Sequence, residues 1–182
     1  MSRAPLAAAV LLAAGTLLGA CRRAPESKLA ELEEILRSRN DNDPRLDRDF
    51  QGLSPEAKAR FREKYASIPR ERRNERGTVV YLLGRNLDRP EDWEFMRAVA
   101  AEEPCLSLAD CAKPSNGGPG EGDDVTLAYP SLVALHQAAR ALEAGAPAAE
   151  ARPVLDAAKA SRMKAVISLA RTLEPRFDKT SR

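Results

Sequence analysis

From Leu29 to Leu173 the apolar residues return at intervals of three and four, in stretches stopped by proline, glycine or charged turns. That interval gathers them on one face of an α-helix, whereas a half-buried strand would alternate at every second residue. Leu29, Leu32, Ile35 and Leu36 predict a helix over 26–39. Ser54-Pro55-Glu56 announces the next, with an N-cap, a proline at the first helical position and an acid in the first turn. Its apolar face is Ala57, Phe61, Tyr65 and Ile68. After Pro69 the run Arg70-Glu71-Arg72-Arg73-Asn74-Glu75-Arg76 reads as the solvated face of a helix laced with Glu-to-Arg pairs. Facing phosphates of lipid headgroups or lipopolysaccharide is its functional alternative. That helix continues through Val79, Val80, Tyr81, Leu82 and Leu83 to Asn86, because no second strand candidate exists to pair with so short an apolar run. Gly84 inside it predicts close helix packing.

Asp88 is then expected to cap a helix in which Glu91 reaches back. Trp93, Phe95, Met96, Val99 and Ala100 form its stripe, with Trp93 a core anchor. Residues 130–144 carry Leu132, Leu135, Ala139 and Leu142, closed by Gly145 as a C-terminal cap. A last helix is expected from Pro147 or Pro153 to Leu173, with Val154, Leu155, Ala158, Val166, Ile167 and Ala170 inward. Pro175 is expected to end it and leave 175–182 as a flexible tail. The fold class is therefore all-α: an irregular helical bundle or a short helical-hairpin array of about six helices. The pair 54–86 and 88–101 weakly resembles HEAT-type helical repeats, without a repeated motif.

Upstream of these helices stands Leu17-Leu18-Gly19-Ala20-Cys21, preceded by an uncharged run from Leu6 to Leu18 and by Arg3. This resembles the lipobox of bacterial lipoproteins, and the resemblance covers only about the first twenty residues. It implies cleavage before Cys21, acylation (palmitate among the candidate chains) at that residue, and residues 21–28 as a tether to a single helical domain over 29–174. A helical run of 13 residues reaches about 20 Å, short of the roughly 30 Å hydrocarbon core, so a leader fits better than a membrane span. Two or three acyl chains would hold the protein on a membrane durably. Arg22 and Arg23 follow the cysteine where an Asp would resemble an inner-membrane retention signal, so the expected location is the outer membrane, facing the periplasm.

Loss of the leader removes one basic residue, leaving 28 basic against 27 acidic side chains. A near-neutral exported chain lacks the concentrated positive charge that nucleic-acid binding requires. Charged residues at 31% and aromatics at 4% describe a polar domain with a modest core of Ala, Leu and Val.

Cys105 and Cys111 remain after Cys21. In an oxidising compartment such a pair predicts a disulfide, whose small loop contributes about 2.4 kcal/mol in the chain-entropy model. A redox pair would ordinarily read Cys-x-x-Cys beside a βαβ pattern, and a zinc site wants four ligands where the only histidine is His136. His136 reads as a packed or hydrogen-bonded side chain. Asn40-Asp41-Asn42-Asp43-Pro44 fails the calcium-loop template, with Leu46 at the sixth position and Gly52 at the twelfth. Residues 113–124, rich in Gly and Pro, read as a loose loop without the Gly-Lys-Ser/Thr ending of a phosphate-binding loop. No cofactor or metal site is expected.

Three functions follow for such a chain. The first is a non-enzymatic envelope lipoprotein that holds a protein partner or steadies a complex. The second is a carrier or sensor of an apolar ligand between helices. The third is a cell-wall or glycan-acting enzyme using Glu102 and Glu103, although sequence neighbours point to different sides of a helix.

Overall fold

A computed structural model describes the backbone of residues 13–114 and 123–179 and the side chains of 25–114 and 123–178. Residues 1–12, 115–122 and 180–182, with the side chain of Cys21, lie outside the described residues. The leader and lipidation site, and most of the Gly/Pro-rich loop, therefore fall outside this description.

Among the described residues there are nine helices and no strand. They are α1 (Ala13–Ser38), α2 (Arg45–Arg48), α3 (Pro55–Ser67), α4 (Arg73–Gly84), α5 (Pro90–Ala100), α6 (Asp124–Leu127), α7 (Tyr129–Glu143), α8 (Ala148–Lys159) and α9 (Lys164–Lys179). The all-α class is as expected, and the helix count is higher for two reasons. The short α2 and α6 are single turns. The expected last helix is two, because the chain breaks at 160–163, where Ser161 Oγ accepts from the Met163 N–H and starts a new helix.

The core is organised around α7, which packs against α4, α5, α8 and α9. A serial array would join each helix mainly to its sequence neighbours, so the arrangement is a bundle. Ala134, Leu135, Ala138 and Ala139 are buried, and alanine on several sides lets neighbouring helices come close on more than one face. α4 is equally enclosed, with Val79, Val80, Leu82 and Leu83 buried in succession. On the α4–α7 seam Gly84 faces the Gln137 side chain and Gly77 faces the Tyr129 ring, each with no room for a Cβ. On the other side α1 places Leu32, Ile35 and Leu36 near α3, and Phe50 and Phe61 meet at 5.9 Å between ring centroids.

The backbone of residues 21–28, expected as a tether, is part of α1. Two further expectations are corrected. Pro90 occupies the first helical position of α5, so the cap falls on Arg89 and the reaching acid is Asp92 rather than Glu91. Pro175 does not end the last helix: α9 runs on to Lys179, and Phe177 is 1% exposed on the stripe Val166, Ala170, Leu173. Burial of a phenylalanine contributes about 1.5–3 kcal/mol, comparable to the roughly 3 kcal/mol an interior proline costs.

In an open helix Gly→Ala stabilises by about 1 kcal/mol. At Gly84 the new methyl overlaps Gln137, so Gly84→Ala is expected to reverse that sign and destabilise by about 1–3 kcal/mol in urea unfolding. A gain would show that the α4–α7 seam is looser than described.

Candidate functional site

Two clusters of buried charge set the geometry of the α3–α4–α5 end of the bundle. The first centres on Lys58, which lies three residues before Phe61 on the inner face of α3 and is 1% exposed. Its ammonium donates to the Asn86 carbonyl at 3.0 Å, to Asp88 Oδ1 at 2.5 Å and to Asp92 Oδ2 at 2.5 Å. Asp92, 2% exposed, also accepts from Arg62 at 2.9 Å. The Asn86 side chain receives the Leu53 N–H and donates to the carbonyls of Phe50 and Leu82. The ammonium thus has three acceptors inside the fold, one for each of its hydrogens.

The second cluster overturns the reading of the arginine run as a solvated face. Arg73 and Arg76 are both buried, while Arg70 and Arg72 are exposed. Arg76 lies 3.8 Å over the Tyr65 ring and pairs with both oxygens of Glu102, at 2.7 and 2.8 Å. Its other nitrogen donates to the carbonyls of Tyr65 and Ile68, which close the C-terminal end of α3. Tyr65 donates its hydroxyl to Glu102 at 2.9 Å, and burial followed by the Glu102 charge pushes the phenol far above its ordinary range.

Arg73 reaches the other way, donating to the carbonyls of Ser107 at 3.1 Å and Leu108 at 3.4 Å. Those residues belong to the loop closed by the Cys105–Cys111 disulfide. Glu71 accepts the Cys111 N–H at 3.1 Å, so the loop is clamped to the start of α4 from two sides. Burial lowers the proton affinity of Arg73.

The residues singled out by sequence are thereby placed. Glu102 and Glu103 do not form an acid–base pair: Glu102 is engaged by Arg76 and Tyr65, and Glu103 pairs with Arg162. His136 lies at the surface of α7 instead of being packed inside, and desolvation followed by the Arg176 charge lowers its proton affinity. Trp93 is buried in the core as expected. The Asp41–Pro44 turn is closed by Asp43, which accepts from the Arg45 guanidinium and N–H. Among the described residues no group of three His, Cys, Asp or Glu could hold a metal ion.

Sequence reading missed Lys58, Asp92, Arg73 and Arg76. The available signal was their register on the apolar stripes, with Arg73 and Arg76 each seven residues ahead of Val80 and Leu83.

Clefts open at the start of α4 and beside its middle. At its start a cleft of about 370 Å³ includes Arg39, Arg72, Arg73, Asn74 and Thr126 in its walls. Beside its middle a cleft of about 350 Å³ is lined by Asp41, Asp43, Asp47, Tyr81 and Tyr129 among others. In the latter, Asp47 takes the Tyr81 hydroxyl at 2.5 Å and pairs with Arg85. Compared with protein-family models, curated proteins and solved structures, the chain matches none.

Removing the Lys58 charge takes from Asp92 its buried counterion and leaves only the half-buried Arg62, so Lys58→Met is expected to cost about 3–5 kcal/mol in chemical unfolding. Arg62→Met removes only a half-exposed partner and is expected to cost about 1 kcal/mol or less.

Acid stability follows from the same pairs. The Arg45 side chain and N–H hold Asp43 at about 2, against an ordinary 3.8, and the Lys58 ammonium lowers Asp88. The folded carboxyls bind protons less readily than the unfolded ones, so their contribution is complete above about pH 4 and lost as pH falls toward 2. The urea midpoint should decline through that window, and Asp43→Asn should flatten part of the decline.

Proposed function

We propose that this chain is a lipid-anchored protein of the bacterial cell envelope whose helical domain works as a non-enzymatic interaction module. The observation that carries the reading is Leu17-Leu18-Gly19-Ala20-Cys21 behind an uncharged leader. In that reading Cys21 bears the lipid, and Arg22 and Arg23 in place of an acid favour the outer membrane, facing the periplasm. The disulfide at Cys105 and Cys111 suits an oxidising compartment. No described helix is long and apolar enough to cross a membrane, so membrane attachment in this reading rests on the acyl chains.

The interaction half is supported by how the domain uses its charges. Lys58, Asp92, Arg76 and Glu102 are committed to one another or to backbone carbonyls, an arrangement that fixes a scaffold and leaves them unavailable to substrate. The neighbouring carboxylates Glu102 and Glu103 pair with Arg76 and with Arg162, so this pair lends the glycan-acting reading no support.

Expression of the full chain with labelled palmitate tests the anchor. The wild type is expected in the membrane fraction with label, and Cys21→Ser is expected to lose the label and remain uncut. Retention of both label and membrane fraction by Cys21→Ser would sink the assignment. Crosslinking in intact cells tests the module: a reproducible protein adduct supports it, and repeated recovery of none favours a ligand carrier.

A further inference from the structure

Every polar or charged residue buried in the described fold hydrogen-bonds another residue through its side chain, with one exception. The exception is Gln137, on the side of α7 turned to α4. It is 5% exposed, and its carboxamide makes no hydrogen bond among the described residues. Asn86 marks the contrast, since that buried carboxamide takes one N–H and gives to two carbonyls. A buried amide with two donors and an acceptor unmatched is costly to the fold and calls for a partner.

Packing fixes where this amide goes. The Gln137 stem lies against Gly84, at a point where a Cβ on residue 84 would have no room. Beyond that contact the side chain lines a cleft of about 420 Å³ between the last turns of α4 and α7. Neither amide atom is sealed from that space: the one sealed, unpartnered side-chain nitrogen or oxygen among the described residues is Arg73 Nε. The volume falls in the range of small-ligand clefts.

The remaining walls say what would match. Among the described residues no Asp or Glu lines the cleft, while Arg85 and Arg140 do. Arg85 is turned to Asp47 and to the Tyr81 hydroxyl. Arg140 is exposed and makes no hydrogen bond or ion pair through its side chain among the described residues; its charge acts on Asp47, which Arg85 already holds. Helix C-termini carry partial negative charge, and two of them end here. Their carbonyls are occupied, however. Those of Tyr81, Leu82 and Leu83 take the Arg85 N–H, the Asn86 amide and the Asn86 N–H, and those of Arg140, Ala141 and Leu142 take the N–H groups of Ala144, Ala146 and Gly145. Arg140 is left as the unanswered charge. It stands three residues after Gln137 and so beside it on the helix surface, with Ala141 and Ala144 continuing the same face as methyl groups.

We propose that this cleft binds the carboxyl terminus of a peptide. The Gln137 oxygen accepts the N–H of the last residue, its NH2 donates to the terminal carboxylate, and Arg140 supplies the countercharge. In an extended residue the N–H and the carbonyl lie on one side, so a single carboxamide pairs with both. A carboxylate acceptor makes the stronger, charge-assisted form of that bond. The alanine methyls give apolar contact to short side chains. The site goes beyond the anchored-module reading and does not rest on it, since none of its residues belongs to the leader.

The test follows the Gln137 side-chain NH2 and the Gly84 and Ala141 backbone amides of the full chain by NMR. The probe is acetyl-Ala-Ala with a free carboxylate, against acetyl-Ala-Ala-amide and sodium acetate at matched ionic strength. Saturable shifts with the free acid are expected, with half-saturation at least about threefold weaker for the capped peptide and no saturation by acetate. Arg140→Gln, at an exposed position, should weaken the free acid by about three- to tenfold and leave the capped peptide unchanged.

Gln137→Met keeps a stem on Gly84 and removes only an unpaired amide, so it should hold or raise the urea midpoint and abolish saturation at Gly84 and Ala141. A lower midpoint would show the amide bonded within the fold and overturn the proposal. Absence of saturation in the wild type, equal saturation by the capped peptide, or unchanged binding in Gln137→Met or Arg140→Gln also overturns it. Running the titration on Cys21→Ser separates the site from the anchor: loss of lipidation with the peptide response retained leaves this inference standing alone.

Discussion

The ammonium of Lys58 is the point through which three helices are set against one another. It sits on the inner face of α3 and takes its acceptors from the end of α4, the turn after it and the first turn of α5. Withdrawing such an ion from water costs several kcal/mol, and its attraction to Asp92 repays that only in good geometry. The knot therefore adds little net stability over an apolar packing of the same volume. It supplies direction. An aliphatic side chain would tolerate many rotations of α5 against α3, whereas an ammonium with three fixed acceptors penalises every rotation that strands one of them. Asn86 extends the constraint, because the residue whose carbonyl receives Lys58 also binds Phe50, Leu53 and Leu82 through its side chain.

Arg76 repeats this logic one helix further on. The last carbonyls of α3 have no helical donors, and a buried helix end without partners is costly. The guanidinium meets Tyr65 and Ile68 with one nitrogen and Glu102 with the other, so a single side chain closes α3 and fixes the segment after α5. With its flat face on the Tyr65 ring it also fills the space a nonpolar residue would occupy. An arginine in this position is a packing element as much as a charge.

How far the sequence could be read follows from these cations. Spacings of three and four found the inner faces of α1, α3, α4, α5, α7, α8 and α9, because those stripes are built from Leu, Val, Ile and Ala whose burial needs no partner. Lys58, Arg73 and Arg76 occupy the same stripes in register, yet the residue type argued for solvent, and only the three-dimensional supply of acceptors overrules that prior. The start of α5 was legible in kind and displaced by one residue, since Pro90 at the first helical position puts the cap on Arg89. The break between α8 and α9 carries neither proline nor glycine, so its one sequence sign was Ser161. Pro175 misled in the opposite sense: the burial of Phe177 beyond it keeps the helix going.

Comparison of the three buried cations isolates what is peculiar about α4. Lys58 has three acceptors, two of them carboxylates, and Arg76 has two carbonyls and a carboxylate, so each finds both hydrogen bonds and countercharge inside the fold. Arg73 has carbonyls for its two terminal nitrogens, nothing for Nε, and no carboxylate hydrogen bond. It belongs to the first turn of a helix whose N-cap, Arg72, gives no side-chain cap. A capping Asp or Ser at position 72 would accept from that turn, and the chain has an arginine there instead, adding positive charge. Glu71 acts on Arg73 through its charge without a hydrogen bond, so this cation is held by loop carbonyls and a through-space field where Lys58 and Arg76 have direct ion pairs.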